Sequence, residues 1–193
     1  GQNIKKASRL IFNRNILLLS AAMLIADSAF VGFVSWAPTF LRQDLAMLPD
    51  FAGYLFGAST ALGAVGIIVM GFAQDRFNGK KVILLNSLAS ALLSFLLLTK
   101  KSTFLITPTL LLSGFFMNCF WTLISAQAQK SVNGHEIGSA TGVVQNFGML
   151  GAIIGPALIG WMAEKVALST ALIIAVSGFY FVSAILTLLY KQP

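Results

Sequence analysis

The chain has 193 residues, 57% of them hydrophobic and only 10% charged, with a formal net charge of +7. A soluble domain is about a quarter charged, so this composition predicts an integral membrane protein and excludes a soluble globular domain. The cations are scattered over short loops rather than gathered on one face, which excludes a nucleic-acid surface and fits the bias of Lys and Arg toward cytoplasmic loops.

Runs of roughly 20 apolar residues are long enough to cross a bilayer as helices, and six can be read in order. Residues 1–15, with Lys5, Lys6, Arg9 and Arg14, read as a basic cytoplasmic linker. The chain starts at Gly1 rather than Met, which reads as a cut through a longer protein. The first span is expected at 16–41, with Asp27 near its middle. Trp36 and Pro38 are expected to end or kink it near the outer interface. After an outer loop at 42–50, the second span covers 51–74. The stretch 71–81, GFAQDRFNGKK, reads as a tight hairpin loop, and Arg76, Lys80 and Lys81 put it on the cytoplasmic side. The third span covers 82–99, and Lys100 and Lys101 make an outer turn. The fourth covers 103–128, with Pro108 in its first turns, where a missing N–H costs least. A cytoplasmic loop at 129–137 holds His135. The fifth span covers 138–163, an outer turn takes 164–168, the sixth covers 169–190, and 191–193 is a cytoplasmic tail.

The cations test this topology. The linker, the 71–81 loop, Lys130 and Lys191 put nine on one side, against Arg42, Lys100, Lys101 and Lys165 on the other. An internal repeat agrees with it. Leu62-Gly63-Ala64-Val65-Gly66, Gly71 and Asp75-Arg76 in the second span parallel Leu150-Gly151-Ala152-Ile153-Ile154-Gly155, Gly160 and Glu164-Lys165 in the fifth. Each is the second helix of a set of three. An odd number of crossings inverts the chain, so the predicted fold is an all-α membrane protein with a 3+3 inverted repeat.

Three stretches carry a family resemblance. The 71–81 loop resembles the G-x-x-x-D-R-x-G-R-K/R loop of the major facilitator superfamily, with one extra residue, Asn78. That spacing is similar to the organophosphate antiporter and anion–cation symporter branches. Gly32-Phe33-Val34-Ser35-Trp36-Ala37-Pro38-Thr39-Phe40-Leu41 resembles the G-x-x-x-W-x-P-T-Y-L ending of the matching helix there. Gly138-Ser139-Ala140-Thr141-Gly142, Gly148, Gly151 and Gly155-Pro156 resemble the glycine-rich fifth helix of the second half. The resemblance covers nearly the whole chain. It implies the second six-helix half of a twelve-helix transporter, whose partner is a missing N-terminal half and whose substrate binds between the halves. Small residues at Gly53, Gly57, Ala61 and Ala64, and at Gly138, Gly142, Gly151 and Gly155, would let helices approach closely, within this half or against the other.

Asp27 is the sharpest chemical signal. A carboxylate at the centre of a span costs about 2.5–3.5 kcal/mol on insertion scales. It either couples proton flow, holds a cationic substrate group, or is hydrogen-bonded for packing. Phe30 shares its face. The resemblance implies an arginine at that position in the organophosphate branch, so Phe30 argues against a phosphate ester. Asn118 and Trp121, one turn apart on the fourth helix with Ser125 a turn further, offer an orienting hydrogen bond and a flat apolar wall, or plain interhelical packing. Gln145 and Asn146 point about 100° apart, so one of them faces a cavity, and Gln145 matches a position often polar in the anion symporter branch. Gln127 is expected at a cytoplasmic gate. The resemblance implies a conformational-switch role for Asp75, Arg76 and Lys81 in a loop shaped by Gly71 and Gly79, whereas topology anchoring alone would also account for the cations.

With one cysteine (Cys119) and one histidine, no metal cluster is expected, and no nucleophile–base pair points to an enzyme. Gly79-Lys80-Lys81 lacks the flanking residues of a phosphate-binding loop. The expectation is a secondary active transporter of a small organic solute without a cofactor, in a bacterial inner membrane, with both ends of this half cytoplasmic. The alternative is a receptor or sensor on the same fold that does not transport.

Overall fold

The computed structural model describes residues 13–99 and 103–192. The linker cations Lys5, Lys6 and Arg9 and the turn at Lys100 and Lys101 lie outside the described residues. Six helices are long and apolar enough to cross a membrane: α1 (Arg14–Gln43), α2 (Pro49–Arg76), α3 (Gly79–Thr99), α4 (Phe104–Lys130), α5 (Gly134–Ala163) and α6 (Leu168–Leu189). The described residues contain no strand.

The helices outrun their apolar stretches. Hydropathy marks what lipid tolerates, while a helix end needs only its hydrogen bonds continued or capped. Asn13 caps α1, its side chain accepting the Asn15 N–H at 3.0 Å. Asn78 does the same for α3 through the Lys81 N–H at 3.1 Å. The stretch 71–81 is therefore mostly helix: α2 runs on to Arg76, α3 begins at Gly79, and only Phe77 and Asn78 join them. Likewise α4 extends to Lys130, and a 3₁₀ turn at Gly134–Glu136 carries an exposed His135 into α5. Pro38 does not end α1, which continues to Gln43.

Two helices are irregular inside. α4 breaks at Asn118–Cys119, where the Cys119 N–H turns to the Phe116 carbonyl at 3.2 Å and the helix resumes at Phe120. α6 contains a π turn at Ile173–Ser177, and the Ser177 hydroxyl meets that of Ser94 on α3 at 2.9 Å.

The packing pairs α1 with α5 most extensively, then α2 with α4, α1 with α6 and α3 with α6 about equally, and then α3 with α4. Exchanging α1, α2 and α3 for α4, α5 and α6 maps this set of contacts onto itself. Glycines bring α5 close to α1 and α2 close to α4. A Cβ at Gly151 or Gly155 would collide with the Leu24 or Ser28 carbonyl of α1. A Cβ at Gly63 would meet Asn118 and the Gly114 carbonyl, and one at Gly66 the Phe115 carbonyl, all on α4. These four are among the six glycines of the sequence repeat; of the other two, Gly71 meets nothing within 4 Å and Gly160 meets only the Trp36 ring. Gly53, Gly57, Gly138 and Gly142 meet nothing within 4 Å, and Ala61 and Ala64 are exposed. The small-residue stripe of α2 is thus an open face.

Candidate functional site

Near mid-length, α1, α4 and α5 leave a cavity of about 220 Å³. Asp27, Phe30, Asn118 and Trp121 line it together with Val31, Met117, Met149 and Ala152. A second cavity of about 130 Å³ shares Phe30, Val31, Met117 and Asn118 and reaches Phe56, Ser59 and Thr60 on α2. The residues meet because the break in α4 falls at Asn118, between the segment packed on α2 and the segment that carries Trp121 toward α1 and α5. The Asn118 amide donates to its own Gly114 carbonyl at 2.8 Å. Its Oδ1 has no partner among the described residues.

Asp27 is 5% exposed, and its Oδ2 has no hydrogen-bond partner among the described residues. Among the described residues no cation pairs with it, the only ion pair being Lys130 with Asp75. Gly148 makes its room. A Cβ there would collide with Asp27 Oδ2 and would lie 3.0 Å from Met23 Cγ and 3.2 Å from Trp121 Cζ3. Chemically, the cavity offers one carboxylate, one amide and aromatic walls. That set can exchange a proton or hold a cation, orient one polar group and sandwich an apolar body. Gly148 was legible only as one of a run of glycines in α5; nothing in the sequence says that it faces a carboxylate. Gln145 is half-buried on α5 and does not line the cavity, and Asn146 is exposed.

A second cluster closes the end of the bundle that holds Asn13, Asn78, Ser131 and Tyr190, called here the basic end. Asp75 pairs with Lys130 of α4 at 3.2 Å rather than with Arg76 or Lys81. The buried Gln74 amide donates to the Leu123 carbonyl at 2.7 Å. Gly79 lies against the Gln127 amide so closely that a Cβ would overlap it. Gln127 in turn accepts from the Tyr190 hydroxyl at 3.2 Å, and that hydroxyl meets Ser131 at 2.9 Å. The Lys80 ammonium donates to the Leu188 and Tyr190 carbonyls at 2.8 and 2.7 Å, closing the C-terminus of α6. Gly71 is half-buried with open space beside it, and Arg76 and Lys81 are exposed. The joint between α2 and α3 is thus clasped to α4 and α6.

Residues 4–193 match the family model described as Major Facilitator Superfamily. The chain is 26% identical over 192 residues to a cis,cis-muconate transport protein of Acinetobacter baylyi, covering 96% of this chain and 46% of that protein. It is 33% identical over 164 residues to the 4-hydroxybenzoate transporter PcaK of Pseudomonas aeruginosa, covering 76% and 36%. It is 25% identical over 156 residues to the proline/betaine transporter of Escherichia coli, covering 79% and 31%. The chain spans less than half the length of each of these relatives.

Proposed function

The chain belongs to the Major Facilitator Superfamily, and from that premise we propose that it is one half of a secondary active transporter that moves a small organic solute by alternating access. The observation that carries the reading is Asp27, a buried carboxylate with no ion-pair partner among the described residues, on the wall of an aromatic-lined cavity. Such a residue is expensive in lipid and marks a solute or proton path.

The solute we favour is a flat organic acid. Trp121 and Phe30 give it walls and Asn118 an orienting contact, and two relatives are named for muconate and 4-hydroxybenzoate. An ionised Asp27 would repel such an anion in a site of low dielectric. A protonated one would not, so a proton and the anion enter together. Phe30 in place of a cation argues against a phosphate ester.

The N-terminal half docks on the open stripe Gly53, Gly57, Ala61 and Ala64, where small residues allow close approach. The basic end faces the cytoplasm of a bacterial cell. Its clasp, through Asp75, Lys130 and Gln74, is the element that opens and closes as the halves rock.

The test uses the full-length protein in proteoliposomes with an imposed pH gradient and labelled cis,cis-muconate and 4-hydroxybenzoate. Uptake of at least one should follow the gradient, and Asp27→Asn should remove that dependence. Full pH dependence in Asp27→Asn would overturn proton coupling through this residue. Binding without accumulation by the wild type would point to a receptor instead.

A further inference from the structure

Between the basic-end turns of α2 and α3 lies an apolar groove of about 500 Å³, separate from the central cavity. Met70 and Ala73 of α2 with Phe77 of the joint form one wall, Val82 and Leu85 of α3 the other, and Phe116 of α4 the floor. Phe77 and Leu85 are 67% and 65% exposed, so the groove opens outward from the bundle. It runs along α2 from Phe77 to Met70, roughly 10 Å at the rise of an α-helix, starting at the basic end and heading toward mid-membrane. At about 100° per residue, this wall lies roughly 160° around α2 from the stripe Gly53, Gly57, Ala61 and Ala64. Whatever covers that stripe does not cover the groove.

The mouth of the groove is cationic. Lys81 lines it, and its ammonium has no partner among the described residues. Arg76, at the end of α2 beside it, is likewise unpaired among them. The neighbouring charges are otherwise engaged: Lys80 with the α6 carbonyls, and Asp75 with Lys130. The joint at Asn78 also opens α3, a helix of 21 residues whose N-terminus favours an anion. A chain-shaped apolar slot at lipid depth, with two uncompensated cations at headgroup depth, has the chemistry of an acidic lipid.

We propose that this groove binds an acidic glycerophospholipid of the leaflet at the basic end. One acyl chain lies along Met70, Ala73 and Leu85 over Phe116, and the phosphate meets Lys81 and Arg76. The site sits on the joint between α2 and α3, so its occupant braces the clasp to α4 and α6.

Native mass spectrometry of the purified full-length protein, offered equal phosphatidylglycerol and phosphatidylcholine, tests this. The wild type should retain phosphatidylglycerol about fivefold over phosphatidylcholine, the equivalent of the roughly 1 kcal/mol that one cation contributes beside an acidic leaflet. The double replacement Lys81→Gln with Arg76→Gln should abolish the preference. Leu85→Trp, which fills the slot from an exposed position, should lower retention of both lipids. Equal retention by the wild type, or wild-type behaviour in either variant, would overturn the proposal.

Discussion

Replacing Gly151 by alanine tests the packing of the fold at its closest point. The new Cβ would lie 2.9 Å from the Leu24 carbonyl carbon and 3.1 Å from its Cα, and nearer still to the oxygen. Ordinary contact begins at 3.4 Å. The obstruction is backbone, which cannot rotate aside, so α1 and α5 must part. Overpacking of this kind costs about 1–3 kcal/mol, against which alanine returns up to about 1 kcal/mol of helix propensity. A net loss of about 2 kcal/mol is expected, since the whole α1–α5 contact is affected. For a chain of this size that is a fall in midpoint of about 4–8 °C. Gly57→Ala is the internal control: it meets nothing within 4 Å, so it should leave the midpoint unchanged or raise it by a few degrees. The assay is thermal unfolding of the 193-residue chain in detergent, followed by the fraction surviving size exclusion after heating. Equal losses from the two variants, or a Gly151→Ala chain as stable as the wild type, would refute the reasoning. In the full-length protein Gly57→Ala should become costly, if the other half docks on that face.

Gln74→Ala removes a buried donor and leaves the Leu123 carbonyl with one partner fewer; the same heating assay should register a loss of about 1–2 kcal/mol, and no change would mean that the contact is incidental. Asn86 is fully buried, with neither end of its amide partnered among the described residues. Asn86→Leu should therefore be neutral or stabilising, whereas a loss above about 2 kcal/mol would mean that the amide holds an essential bound water. Asp75 and Lys130 are both well exposed, so a double-mutant cycle with Asp75→Asn and Lys130→Gln should give a coupling below about 1 kcal/mol. A larger value would show a pair insulated from solvent.

The six helices were legible because the bilayer imposes a length and a composition on every crossing. The half-fold was legible in part from the repeat, whose glycines make the two equivalent close contacts. Asp27, Asn118 and Trp121 stood out as polar or amphipathic groups at mid-span, and they line one cavity. Gln145 looked the same in sequence and shares a face of α5 with the cavity-lining Met149 and Ala152, but it lies a turn nearer the basic end, outside the lining. Gly57 and Gly151 are equally small and equally mid-helix; only the partner distinguishes them, and partners are set by tertiary packing. The break in α4 had no sequence signal, since neither Gly nor Pro marks it. The Asp75–Lys130 pair spans 55 residues, beyond the reach of any local pattern.

The Lys80 clasp also dates the completion of the fold. Its two acceptors lie 108 and 110 residues downstream, so during synthesis the joint between α2 and α3 enters the membrane long before those carbonyls exist. Until α6 is made and seated, Lys80 has nothing to hold and the joint is fastened to α4 alone. A nascent chain stalled before α6 would therefore expose a half-fastened basic joint. Protease sensitivity near Asn78 would then separate unfinished chains from finished ones.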